Sequence, residues 1–161
     1  MKERFDELRK KLTTQDPKAY FSMLEFILVD WIKIAEPPID QMSKEELFND
    51  EFYTGYIYGF ADSALQGSSL ELTRDLYGDI ISELYVVVFE CSLEEGIKKL
   101  NSVTPSSITK KIQQGMMAGG NEWINYVNDK TIPGKAIGEY FLDPIGVKQD
   151  DELDFVYKTK P

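Results

Sequence analysis

The chain has 161 residues, 42% apolar and 29% charged, with one cysteine, no histidine and a net charge of −10. That length suits one domain with one core, and the apolar content excludes a collagen-like, disulfide-stapled or wholly disordered chain. A lone cysteine forbids an intrachain disulfide and fits a reducing compartment. Without histidine, Ser-His-Asp and Cys-His catalysis, HExxH zinc sites and histidine-ligated iron are excluded.

The amino-terminal residues 1–11 alternate charge signs and show no apolar signal-peptide core. The most apolar stretch, residues 20–35, carries Glu25, Asp30 and Lys33 and is too short to span a bilayer. The expectation is a soluble cytoplasmic protein with no membrane contact.

Phe5, Leu8 and Leu12 sit at helical spacing and predict a short helix over residues 2–12. Asp16-Pro17 is a strong helix start, an N-cap acid followed by a proline with its φ already set. Tyr20, Phe21, Leu24, Ile27, Leu28, Trp31, Ile34 and Ala35 then keep helical spacing until Pro37-Pro38. Ser43-Lys-Glu-Glu46 is a capping box that opens a third helix, which breaks near Asn49-Asp50 and resumes to Gln66.

Ser68-Ser69 opens a helix predicted over residues 70–91, with an apolar stripe running from Leu70 through Ile80, Ile81 and Leu84 to Cys91. Ser92-Leu-Glu-Glu95 is a second capping box, starting a shorter helix to about residue 101. Thr104-Pro105 predicts another helix running to about residue 128. Residues 131–161 read as irregular, with one short helix over 135–142 and a weakly alternating edge strand or ordered tail over 151–158. The fold class is all-α: a single-domain bundle of about six to seven helices covering residues 1–161.

Two segments echo each other. Gly55, Gly59 and Asp62, and again Gly115, Gly119 and Glu122, share a Gly-x3-Gly-x2-acid pattern that falls on one helical face. Glycine inside a helix costs roughly 1 kcal/mol against alanine, so two pairs need a compensating reason. Close crossing of the two helices is the favoured one, and a carboxylate pair lining a small pocket is the other.

Charge is distributed unevenly. Between Glu36 and Glu95 stand fourteen acids against two bases, Lys44 and Arg74, so this block holds −12 and the rest of the chain +2. Such a concentration directs a field at something cationic and disfavours direct nucleic-acid binding. Glu71, Asp75, Asp79 and Glu83 recur every four residues, on the side opposite the apolar stripe, with Glu90 in the same sector. Three like-charge pairs at i, i+4 cost roughly 0.2–0.5 kcal/mol each, with only Arg74 to offset them. Glu45, Glu46, Asp50 and Glu51 form a second acidic cluster. These nine acids are the candidate partner-binding residues.

No catalytic residue or metal ligand emerges, and no cofactor is expected. Helical di-iron sites need Glu-x-x-His, and no calcium loop is complete. Ser107-Ile-Thr-Lys110 matches a Ser-x-x-Lys nucleophile motif whose usual companions are missing. Cys91 lies among acids on an apolar face and reads as core. The favoured expectation is therefore a non-enzymatic, acidic inhibitor of a basic partner: an immunity protein covering a nuclease-type toxin, or a nucleic-acid mimic with the same features. The alternative is a helical adaptor or secretion chaperone with an apolar groove, for which Phe52, Tyr53, Tyr56 and Tyr58 are the candidate lining. A small carboxylate-based enzyme is third.

Overall fold

The computed structural model describes residues 10–35, 39–128 and 135–142. Among them the chain is all-α, with no strand. In chain order the helices are α1 (Pro17–Ile34), α2 (Lys44–Asn49), α3 (Glu51–Gln66), α4 (Arg74–Phe89), α5 (Leu93–Asn101), α6 (Lys110–Val127) and α7 (Lys135–Leu142). The helix expected at 135–142 is present, whereas the strand or tail expected at 151–158 and most of the helix expected at 2–12 lie outside the described residues.

Local chemistry sets most of the helix starts. The Asp16 carboxylate accepts the Lys18 backbone N–H at 3.1 Å, with Pro17 in the first turn of α1. Ser43 and Glu46 complete a reciprocal capping box at α2, and Ser92 and Glu95 do the same at α5. Asp50 ends α2 and begins α3, its carboxylate accepting the Tyr53 N–H at 2.8 Å.

Two starts differ from expectation. Helix α4 begins at Arg74 because the Thr73 hydroxyl caps the Leu76 N–H, leaving Leu70 and Glu71 in the preceding loop. Helix α6 begins at Lys110, capped by Thr109, while the Thr104 region forms turns. In both places a threonine nearer the apolar run captured the orphan N–H.

Helix α3 is the hub. Phe52, Tyr53, Tyr56, Ile57, Phe60, Ala61, Ala64 and Leu65 are all buried, leaving it little solvent face. Helix α1 lays Tyr20, Leu24, Leu28 and Trp31 into the same core, with Trp31 edge-on to Phe60 at 5.1 Å. From α4, the Tyr85 hydroxyl donates to the Thr54 carbonyl at 2.8 Å, and from α7 Tyr140 stacks on Phe52 at 4.1 Å. Ile34, expected inward, is 54% exposed at the end of α1.

Helices α3 and α6 run parallel with their backbones in contact. A Cβ on Gly55 would meet the Ile112 carbonyl, and one on Gly59 the Met116 carbonyl, each well under 3.0 Å. Reciprocally, Gly115 and Gly119 lie against the carbonyls of Phe52 and Tyr56. The glycine echo is thus a helix crossing, and its cost in helix propensity is offset by interlocked backbones.

A sharp contrast between glycines follows. Gly59→Ala has no room and should destabilise by about 3 kcal/mol or more. Gly78→Ala on α4 would find only Leu100 Cδ2, at 3.6 Å. It should stabilise by up to about 1 kcal/mol through helix propensity. Urea unfolding of the two variants beside the parent measures both signs.

Candidate functional site

The structure sorts the nine candidate acids into different jobs. Asp75, Asp79 and Glu83 are exposed on α4 and make no ion pair among the described residues. Glu71 is exposed in the loop before α4, so two like-charge i, i+4 pairs occur rather than three. Asp75 also stands in the first helical turn, where the helix dipole favours a negative charge. The repulsion built into the ladder is therefore smaller than the sequence implies.

Glu90 closes α4 in the left-handed conformation at φ 51°, the one non-glycine residue with positive φ among those described. Its carboxylate takes the Lys44 ammonium at 2.5 Å, and that hydrogen bond and charge hold its pKa below the usual range. This pair is widely exposed, so it joins the start of α2 to the end of α4 without contributing much stability. It also brings the exposed Glu45 and Glu46 to the Glu90 end of the ladder.

Asp50, by contrast, is half-buried at the α2–α3 joint and accepts the Tyr140 hydroxyl at 2.8 Å. Asp50 and Glu46 are thus occupied by capping, while Glu51 is exposed in the first turn of α3.

Below this surface lies Lys99, which sequence reasoning missed. Its half-buried ammonium donates to the Phe48 carbonyl and sits 4.2 Å over the Phe48 ring, with the Phe89 ring at 5.4 Å. Burial lowers its pKa, while the negative charges of Asp50 and Glu51 act in the opposite direction. It caps the negative end of α2 and ties α5 to the α2–α3 joint.

The aromatic groove is not there. Phe52, Tyr53 and Tyr56 are at most 3% exposed, because the core surrounds α3, and Tyr58 is half-buried. Among the described residues, Phe26 on α1 is the large aromatic side chain that stands out, at 75% exposure.

Asp62 and Glu122 bond to different partners. The Tyr56 hydroxyl donates to buried Glu122 at 2.5 Å, and Glu122 also accepts the Ala136 N–H. The Tyr77 hydroxyl donates to Asp62 at 2.5 Å and stands 2.8 Å from the Tyr58 hydroxyl, with Gln66 on the same carboxylate. With Tyr140–Asp50 this makes three tyrosine–carboxylate bonds between helices or at their joints.

Cys91 is half-buried just beyond α4 rather than in the core, and burial together with Glu95 pushes its thiol pKa up. Ser107 and Lys110 are split between a turn and the first residue of α6, with no base positioned on the hydroxyl, which Thr104 contacts at 3.2 Å. Among the described residues no group of three or more Cys, Asp or Glu could hold a metal ion, and no helix is long and apolar enough to cross a membrane.

Comparison of the chain with protein-family models, curated proteins and solved structures finds no match.

The tyrosines give a pH dependence of definite sign. Burial raises the pKa of Tyr20 to about 12, and burial with nearby carboxylate or phenol charge raises Tyr53, Tyr56 and Tyr85 as well. The folded state holds these protons after the unfolded chain has released them. Stability is therefore full below about pH 10 and falls above it, by up to about 1.4 kcal/mol per pH unit for each buried tyrosine. Urea midpoints measured from pH 8 to 11.5 should drop steeply past 10, with tyrosinate absorbance at 295 nm appearing together with unfolding. A smooth titration of all tyrosines in the folded protein would contradict this.

Proposed function

We propose that this chain is a protein-binding inhibitor whose acidic face covers a cationic surface on another protein, with a nuclease-type toxin as the partner class. One observation carries the proposal. Of the thirteen acids between Ile39 and Glu95, eleven are exposed and only Asp50 and Asp62 are half-buried, against two exposed bases, Lys44 and Arg74. Capping, hydrogen bonds or ion pairs engage Glu46, Asp50, Asp62, Glu90, Glu94 and Glu95, whereas Asp75, Asp79 and Glu83 on α4 make no ion pair among the described residues.

Carboxylates massed in this way can stand where substrate phosphates would lie on a basic enzyme. Their field raises association rates and suppresses acidic competitors. A nucleic-acid mimic acting on a DNA- or RNA-binding protein uses the same chemistry.

Affinity capture at low salt, followed by stepwise salt elution, names the partner and reports the electrostatic share. The variant Asp75→Lys/Asp79→Lys/Glu83→Lys should fold, since all three side chains are exposed and make no ion pair among the described residues. It should weaken binding to the captured partner by about 2–5 kcal/mol if those charges are desolvated in the complex. Added salt should slow association more than it speeds dissociation. A folded triple variant with unchanged affinity would reduce the ladder to a solvated surface.

A further inference from the structure

The acids of α4 do not stand alone: the same side of the molecule carries uncovered apolar side chains from α5. Leu93 is 50% exposed and Ile97 44%, one turn apart. Their position follows from how α5 docks. A Cβ on Gly96 would meet the Ser82 carbonyl at 2.7 Å, while Leu100 lies against Gly78, so α4 and α5 are antiparallel and nearly in backbone contact.

At 100° per residue, measured from the contact residues Ser82 and Gly96, the two helices present matching sequences of directions. About 60° to one side stand Tyr85 of α4, in the core, and Lys99 of α5, against the Phe48 and Phe89 rings. About 60° and 100° to the other side stand Asp79 and Glu83 on α4, and Leu93 and Ile97 on α5. Antiparallel helices turn these equal angles toward the same exterior. Val86 and Leu100, both half-buried, lie between them at about 40°.

The result is a shallow groove with an acidic wall, an apolar wall and an apolar floor. Because the helices meet through Gly96, the floor stays low: Val86 Cγ2 lies 3.0 Å from where a Cβ on that glycine would stand.

We propose that this α4–α5 groove is the docking site for a cationic amphipathic helix of the partner protein. The apolar stripe of that helix lies on Leu93 and Ile97, and its Lys or Arg side chains lie along Asp75, Asp79 and Glu83. Charge complementarity selects a cation, since this wall has no ion pair among the described residues. Spacing suits a helix: each step of the ladder rises about 6 Å, the rise between cations at i, i+4 on a partnering helix, and the neighbouring Leu93 and Ile97 call for an apolar stripe beside those cations. An apolar centre beside a charged wall is also the usual build of a specific interface. The inference rests on the acidic-face proposal and adds to it the partner's secondary structure and the apolar anchors.

The test uses the full chain and two synthetic peptides of equal length and charge. One is a Lys/Leu peptide of about four helical turns with leucines at helical spacing, and the other replaces each leucine with glycine or serine. The Lys/Leu peptide should bind at least about tenfold more tightly. Leu93→Ser/Ile97→Ser should remove about tenfold of its affinity and leave the leucine-free peptide unaffected, whereas Asp79→Lys/Glu83→Lys should weaken both. Phe26→Ser on α1 is the control and should change nothing. If the serine pair lowers the thermal midpoint, Leu93→Ala/Ile97→Ala takes its place.

Unchanged Lys/Leu affinity in the Leu93/Ile97 variant, or equal binding of the two peptides, or a loss in Phe26→Ser, would overturn the groove. In those cases a loss in Asp79→Lys/Glu83→Lys would keep the acidic-face proposal standing. If that charge variant also bound like the parent, both would fall.

Discussion

Everything in this fold is arranged around two helices that touch without side chains between them. Gly55 and Gly59 on α3, and Gly115 and Gly119 on α6, each face a carbonyl of the other helix. Since neither backbone can move outward without opening a void, the parallel pair fixes the axis on which α1, α4 and α7 must close. The same contact explains why α3 is buried nearly all round. One side is sealed by α6, and the rest carries aromatic and aliphatic residues that the other helices cover. A helix so enclosed cannot display a binding surface, whereas α4 and α5 carry exposed acids and the exposed Leu93 and Ile97.

Much of the architecture was legible because it rests on short-range hydrogen bonds. Asp16-Pro17 and the serine–glutamate boxes at Ser43 and Ser92 act within four residues, so spacing alone reveals them. The break at Asp50 was legible for the same reason. The misread starts at α4 and α6 share a cause: more than one capping residue preceded each apolar run, and the threonine nearer the run made the cap. The α3 aromatics were misassigned to a groove. The informative signal was that Phe52, Tyr53, Tyr56, Ile57 and Phe60 leave the helix no continuous polar side, the pattern of an enclosed helix.

The candidate surface was half legible. Acid spacing anticipated the exposure of Asp75, Asp79 and Glu83, because exposed charges follow helix period. Leu93 and Ile97 were passed over because a short stripe beginning at a capping box reads as inward-facing. Gly96 carried the missing signal: a helix that docks through glycine turns its bulky neighbours to the flank. Lys99 was invisible for a different reason. Its partners Phe48 and Phe89 come from other elements, and no local pattern links them.

The tyrosine–carboxylate bonds have a wider consequence. Interior carboxylates in many proteins meet histidine or another cation, and so change their bonding near neutrality. Here phenol hydroxyls serve Asp50, Asp62 and Glu122 in a chain without histidine. A phenol keeps its proton across the whole physiological range, and the buried ones keep it further still. Between about pH 5 and 8 the chain therefore has no side chain whose unperturbed pKa would switch its charge, so these interior bonds keep their donors throughout that range.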